Sequence, residues 1–265
     1  DGIVILIIMN KYHLFVLLVL AVGRLSSQSV DPLKFTENKG QWHEDILFKA
    51  DIPSGNMYLG DNELFYYLYN GDEYAKMLEH RHDHSHDDNH KSSISIESEE
   101  NVLHQHTFSL HFIGSNPVSR FYKTKASDSY CNYLYGNDPQ KWGRNVKSYG
   151  SIEYRELYKG INWRIFKNGE NLKHEFIVEP HAKAHHIKIN FNGLDSVFLA
   201  HEQLYLKTSV GQIIEKKPYA YQIIKGVKVQ IPCNFKLKDK EVSFELGRYN
   251  RHFQLIIDPE LIFST

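Results

Sequence analysis

The sequence predicts an all-β protein, built as one or more antiparallel β-sandwich-like modules. Short segments of alternating apolar and polar residues recur at roughly ten-residue spacing in the second half of the chain, separated by turn residues. Tyr and Phe are abundant, with 17 and 15 residues, and such side chains favour half-buried strands. Beyond the N-terminal segment, the apolar period of about 3.6 residues that is typical of amphipathic helices is nearly absent.

The segment 1–28 has the pattern of a signal peptide. Met9 is followed by a lysine, then by an uncharged apolar run at 14–22 and a stretch of small residues. We expect Met9 to be the true start, with cleavage at the end of this segment and export of the mature chain. The alternative is a retained membrane anchor, because 1–8 would add a second apolar run. The run at 14–22 is, however, much shorter than the ~20 residues of a membrane span.

A first β-rich part is expected over 29–118. An Asn-Lys-Gly turn at 38–40 precedes an apolar strand that starts at 46–48. The segment 57–69 contains two aromatic runs around an Asp-Asn pair, which indicates a hairpin. Residues 106–112 alternate between polar and apolar side chains and therefore predict a strand with one buried face.

A second β-rich part is expected over 119–265, and the two parts are free to share one core. It opens with an aromatic-rich stretch that contains a Gly-Asn-Asp-Pro turn at 136–139. About seven strands follow, each bounded by Gly, Pro or a charged turn. They are predicted at 187–191, 204–208, 219–224, 227–231, 235–237, 242–246 and 253–257.

The segment 72–100 is polar and rich in histidine. It has few apolar groups to offset the entropy lost on ordering, so we expect a long exposed loop, with a turn or two of helix near 72–80 as the best helical candidate. Imidazoles suit Zn, Ni or Cu, and the candidate ligands are His80, His82, His84, His86 and His90. We interpret any affinity for these metals as incidental and expect no cofactor; a selected metal site is the alternative.

Local catalytic motifs are missing from the sequence. Lys and Arg (31) balance Asp and Glu (32), which argues against a nucleic-acid partner. His-Glu pairs begin at His43, His174 and His201, but none has the second histidine four residues on that a zinc protease helix needs. Motif searches do not exclude a catalytic pair of carboxylates that are distant in sequence but close together in the fold. His185 and His186 are interpreted as ordinary surface histidines.

Two cysteines and three tryptophans are further candidates for a structural or a binding role. Cys131 and Cys233 allow either a disulfide, in an oxidising compartment, or two buried thiols. Trp42, Trp142 and Trp163 lie beside turns, and we interpret them as core anchors rather than as platforms for sugar stacking.

A series of stretches, spread in order over most of the chain, points to a known family. They are FTENKGQW (35–42), LFKADIP (47–53), NYLYGNDPQKW (132–142), VKSYG (146–150), YRELYKGIN (154–162), LKHEFIVEP (172–180), KTSVG (207–211), KPYAYQ (217–222), FELGRY (244–249) and IDPELIFST (257–265). With these stretches the chain resembles a DUF7948-like N-terminal domain of unknown function from large secreted proteins of the Bacteroidota. In those proteins the domain precedes SBBP-type β-propeller repeats, PKD or other Ig-like domains, and a gliding-motility or type IX sorting domain.

The resemblance implies an exported chain that is secreted or held at the cell surface, and it offers no catalytic residues to carry over. We expect a non-catalytic structural or interaction module, related to adhesion. Its expected partners are other domains of the same protein, or surface proteins and glycans, but neither nucleic acid nor, after signal removal, a membrane. A metal-dependent or carbohydrate-active enzyme domain is the alternative. Because family members continue into repeats, we also expect the chain to be a fragment of a longer protein.

Overall fold

The structure is a computed structural model that describes residues 34–83, 102–117, 120–168 and 171–264. Strands make up about 61% of it and helix about 7%, which confirms the all-β, sandwich-like class. Strands from both expected parts pair with each other, β1 with β7 and β5 with β10, and the described strands belong to one compact unit.

All strand pairings in the described residues are antiparallel. The strands are β1 (Phe35–Glu37), β2 (Phe48–Ile52), β3 (Gly55–Leu59), β4 (Glu63–Tyr69), β5 (Gln105–Phe112), β6 (Arg120–Tyr133), β7 (Gly143–Tyr158), β8 (Ile161–Asn168), β9 (Asn171–Val178), β10 (Ile189–Asn192), β11 (Ser196–Ala200), β12 (Gln203–Thr208), β13 (Gly211–Glu215), β14 (Tyr219–Ile224), β15 (Val227–Ile231), β16 (Cys233–Lys238), β17 (Glu241–Leu246), β18 (Leu255–Asp258) and β19 (Leu261–Ser264). The helical elements are α1 (Gly71–Asp83) and two 3₁₀ turns, Pro139–Lys141 and Ala184–His186.

The strands form two sheets. The larger has 15 strands in the order β15-β14-β18-β9-β8-β7-β1-β2-β3-β4-β5-β10-β17-β16, with β6 paired to β7, and the smaller has four in the order β11-β12-β13-β19. Both sheets contribute to one hydrophobic core, in which Leu204 and Ile213 of the smaller sheet join Phe112 and Trp163 of the larger. Burial of this shared apolar surface is the main force that holds the sheets together.

The predicted C-terminal strands are confirmed, since each of the seven segments coincides with or overlaps a strand. The predicted hairpin is also confirmed, because β3 and β4 pair across the Asp-Asn turn. In β5, Phe108, Leu110 and Phe112 are buried and their neighbours are not, as the alternation indicated.

The helical candidate near 72–80 is confirmed, but the helix, α1, is longer than the expected turn or two, so the predicted loop is wrong for 72–83; the rest of the segment 72–100 lies outside the described residues. The helix begins where Oδ1 of Asn70 accepts hydrogen bonds from the amides of Asp72 (3.1 Å) and Glu73 (3.2 Å). This cap, together with two acidic side chains in the first turn, stabilises a helix N-terminus that average composition does not reveal.

The longest pair of strands, β6 with β7, was not predicted. Its register shifts twice, between Ala126 and Tyr130 and again between Cys131 and Tyr133. Lys125 and Glu156 have positive φ angles, 55° and 55°, that disturb the regular pleat. These irregularities break the period-2 pattern on which a sequence-based prediction depends.

Candidate interaction surface

The loop after β1 is folded around the side chain of Asn38. Its Nδ2 donates hydrogen bonds to the carbonyls of Trp42 (3.2 Å), His43 (2.8 Å) and Ile46 (2.7 Å). Its Oδ1 accepts from the amides of Gly40 (3.0 Å) and Trp42 (3.2 Å). Gly40 has φ of 106°, a conformation that favours glycine. One side chain therefore satisfies five backbone groups and holds Trp42 in position.

A second loop, between β6 and β7, is fixed in a similar way. Oδ1 of Asp138 accepts from the amide of Gln140 (3.0 Å) at the start of a 3₁₀ turn. The indole Nε1 of Trp142 donates to the carbonyl of Gly136 (3.1 Å), which closes the loop. The guanidinium of Arg144 lies 5.2 Å from the ring centre of Trp142, within the range of a cation–π contact.

The two loops pack against each other. A Cβ added to Gly143 would lie 2.5 Å from Oε1 of the Gln41 side chain, so the side chain of the first loop packs directly on the backbone of the second. The ring centres of Trp42 and Tyr133 are 5.8 Å apart, and those of Tyr133 and Tyr135 are 6.0 Å apart. Two sequence stretches that are far apart in the chain thus form one aromatic cluster.

We call this cluster, together with Leu134 and Trp142 of the second loop, the motif face. Its members are Trp42, Tyr133, Leu134, Tyr135 and Trp142. Leu134 and Tyr135 are 56% and 66% exposed, although the loops that carry them are tightly hydrogen-bonded. Exposed apolar groups on a rigid support are typical of surfaces that contact a partner.

Beneath the loops, the carboxylate of Glu37 ties β1 to the β6–β7 pair. It accepts hydrogen bonds from Lys123 Nζ (3.0 Å), the Lys147 amide (3.1 Å) and Tyr149 OH (3.1 Å), and it pairs with Lys39 Nζ at 3.1 Å. Burial by itself would raise the pKa of Glu37, but Lys123, the Lys147 amide and Lys39 together lower it to about 2. A charged glutamate therefore anchors the edge of the motif face.

The three tryptophans differ in their surroundings. Trp163 is 2% exposed in the core, as expected for an anchor. Trp42 and Trp142 are half-buried on the motif face, so the interpretation of all three as core anchors is too broad. The sequence signal that distinguishes them is their position inside loop motifs rather than inside an alternating strand.

The candidate metal ligands are only partly within the described residues. His80 and His82 lie in α1, in helical backbone. His84, His86 and His90 lie outside the described residues. Over 34–83, 102–117, 120–168 and 171–264, no group of three or more His, Cys, Asp or Glu side chains is arranged to hold a metal ion.

The cysteines adopt neither of the two expected arrangements. Both are free; Cys131 on β6 is exposed, whereas Cys233 on β16 is buried. Burial raises the pKa of the Cys233 thiol to about 12, with Lys217 opposing the shift. That thiol is therefore protonated and unreactive at neutral pH.

A carboxylate pair that local motifs did not reveal lies on the outer face of the larger sheet. Glu175 is 5% exposed and bonds to Arg164, while Asp258 lies 3.7 Å from Lys173 Nζ. Burial raises the pKa of Glu175 against the opposing effect of Arg164, and the charge of Asp258 raises it further. Arg164 Nε and Asp258 Oδ1 are buried without hydrogen-bond partners. The pair is the described feature that most resembles an acid–base pair.

An open cleft of about 570 Å³ is also lined by acidic side chains. They are Glu44, Asp45, Asp61 and Glu63, and His111 lies beside them. Two of these acids already have partners, since Glu63 bonds to His111 (2.7 Å) and Asp45 to His43 (3.2 Å). The cleft therefore contains paired, water-accessible charges rather than a preformed catalytic site.

Fold and surface together define an all-β module with a rigid aromatic face. The chain belongs to the family described as "Domain of unknown function (DUF7948)", whose model matches residues 35–260. This span contains both loops of the motif face. No curated protein and no solved structure matches the chain significantly. Among the described residues, no helix is long and apolar enough to cross a membrane.

Proposed function

We propose that this chain is a non-catalytic interaction module of an exported bacterial surface protein, with a role in adhesion, and that it contacts its partner through the motif face. The observation that carries the proposal is the high exposure of Leu134 and Tyr135 on the β6–β7 loop, which Asp138 and Trp142 hold in place through hydrogen bonds. Large side chains that are already ordered lose little entropy on binding.

The chemistry of the motif face favours a protein or glycan partner. Tyr, Trp and Arg are the side chains that most often dominate binding energy at interfaces. Here Tyr133, Tyr135 and Trp142 are accompanied by Arg144, and their rings can also stack on sugar rings. Other domains of the same protein, or surface proteins and glycans, are the partners that fit.

Export rests on the sequence. The segment that starts at Met9 has the order of a signal peptide, and the chain resembles domains of secreted Bacteroidota proteins that precede repeats and sorting domains. A module in that position would lie outside the cell, where an exposed aromatic surface has access to other surface molecules.

The test is a binding screen of the purified chain against immobilised host and bacterial surface proteins and glycans. The double variant L134S/Y135S should weaken binding of the hits at least about tenfold, because each truncation at an interface centre costs about 1 kcal/mol or more. The matched control is I223S/V227S, which removes two apolar side chains of similar exposure, 60% and 63%, from the β14–β15 hairpin.

The proposal requires that L134S/Y135S weaken binding more than I223S/V227S does. Equal loss in both would mean non-specific apolar adhesion, and unchanged binding in L134S/Y135S would exclude the motif face as the contact surface. Circular dichroism of all three proteins checks that the strands are intact.

A carbohydrate-active enzyme is the second candidate, and it rests on Glu175 and Asp258. The raised pKa of Glu175 beside a second carboxylate is the pattern that acid catalysis on glycosidic bonds requires. If the purified chain released reducing sugars from a polysaccharide panel, and E175Q abolished the release while E153Q did not, the enzyme would replace the interaction module.

A further inference from the structure

Three loops converge at one corner of the fold, away from the residues of the motif face. The amide of Glu179 donates to the carbonyl of Gly160 (2.9 Å), and the amide of His181 donates to the carbonyl of Arg251 (2.8 Å). A Cβ on Gly160 would lie 2.9 Å from that of Ala182. The β7–β8 turn, the loop between β9 and β10, and the loop between β17 and β18 are therefore in direct contact.

This corner carries a concentration of basic and imidazole side chains, all exposed. We call it the histidine corner, and its members are Lys159, His181, Lys183, His185, His186, Arg251 and His252. The rings of His181 and His252 are 4.8 Å apart, and those of His185 and His186 are 4.7 Å apart. Ala184 and Ile187 are buried and anchor the middle loop to the core.

The acids that face the corner are few and already hydrogen-bonded. Glu179 accepts from Gln254 Nε2 (3.0 Å), and Glu156 accepts from the Gly160 amide (3.0 Å). Just before β10, Lys188 is paired with Glu241 at 2.9 Å. The corner thus carries excess positive charge, and this excess grows when its imidazoles gain protons.

The geometry points to a binding surface for anionic polysaccharide at the histidine corner, one that binds more tightly as the pH falls. Closely spaced cations match the sulfate, phosphate or carboxylate groups that repeat along such a chain. None of the exposed Phe, Tyr or Trp side chains in the described residues lies on these three loops, so the large aromatic platforms on which single-stranded nucleic acid stacks are not provided there.

The pH dependence has a defined sign. Desolvation, with the positive charges of His185 and Lys183, lowers the pKa of His186, so an uncompensated second charge is unfavourable in the free protein. A bound anion relieves that repulsion. Protonation of His186 is therefore linked to binding, and ligand affinity should rise as the pH falls towards the lowered pKa of His186 in the free protein.

The test is fluorescence titration of the full chain with a labelled heparin oligosaccharide at about pH 5.5 and at about pH 7.5. We expect affinity about tenfold higher at the lower pH, and progressive loss with added salt because exposed charges are screened. H185N/H186N and K183Q should each weaken binding at the lower pH. H43N/H201N, which changes two exposed histidines on other loops, should not.

The histidine-rich segment could produce a similar pH profile, so a second variant separates the two. It replaces five side chains with Asn, at His80, His82, His84, His86 and His90. Retained binding in this variant supports the corner, and lost binding overturns it. Equal affinity at both pH values, equal affinity for desulfated heparin, or tighter binding of a single-stranded oligonucleotide or of anionic vesicles would also overturn it. This inference is independent of the motif face.

Discussion

Glu37→Gln keeps the size of the side chain where β1 meets β7 but removes its charge. The pKa of Glu37 is about 2, against an ordinary 4.5. At about 1.4 kcal/mol per pKa unit, the folded protein favours the charged form by about 3 kcal/mol. Lys123 and Lys39 are 37% and 41% exposed, so water screens part of this effect. We expect E37Q to lower the free energy of unfolding by about 2 to 3 kcal/mol at neutral pH.

The loss should depend on pH with a definite sign. Because the folded pKa of Glu37 lies below its unfolded value, its stabilisation is present above about pH 4.5 and disappears as the pH falls towards about 2. Urea unfolding of wild type and E37Q at about pH 7 and about pH 3 measures both quantities. The gap between the two proteins should narrow at the lower pH.

E63Q is the matched control, since Glu63 also lies in a strand and forms an ion pair, with His111 at 2.7 Å. Both partners are about one-third exposed, and such a pair contributes at most about 1 kcal/mol. If E37Q cost no more than E63Q at neutral pH, or if its cost were the same in acid, the electrostatic account of the Glu37 anchor would be refuted.

Three other experiments test the loops, the thiols and the core. Asn38→Ala should lower the free energy of unfolding by about 2 kcal/mol, measured by thermal denaturation, because it removes five hydrogen bonds to the loop backbone. A thiol reagent at about pH 8 should label Cys131 in the native protein and reach Cys233 only after denaturation, because Cys233 is buried and its pKa is about 12. Labelling of both thiols in the native state would contradict the burial of Cys233. In a double-mutant cycle, His174→Leu and Glu215→Leu should each cost about 1 to 3 kcal/mol, because each leaves a buried polar group without its neighbour, whereas the double variant should cost clearly less than their sum; additive costs would show that the two side chains do not interact.

The strands of the C-terminal half were predictable because each has one face in the core and one in water. In β12, Leu204 and Leu206 are buried while Tyr205 is only partly so, and the turn after Thr208 ends where Gly211 begins β13. Alternation of this kind is a local property, so it can be read without knowledge of the partner strand. The same reasoning found β3, β4 and β5.

The motif face was not predictable in this way. Trp42 and Tyr133 come together only because β1 and β6 lie on either side of β7, a pairing that depends on residues far apart in the chain. The bulges in β6 remove the alternation that would have identified the strand. Family resemblance marked both stretches as important, but it did not indicate that they touch.

The pair His174-Glu175 shows that the role of two adjacent residues depends on the secondary structure in which they lie. On a strand, neighbouring side chains point to opposite faces, so His174 enters the core while Glu175 faces outward. Nδ1 of His174 accepts a hydrogen bond from Trp163 Nε1 (3.0 Å), which places the proton of the neutral ring on Nε2, 3.7 Å from Oε1 of Glu215 in the smaller sheet. A shift of either sheet would move this ring N–H away from the buried carboxylate of Glu215, at a cost of about 1 to 3 kcal/mol. The histidine that fails as a zinc ligand therefore contributes to the alignment of the two sheets.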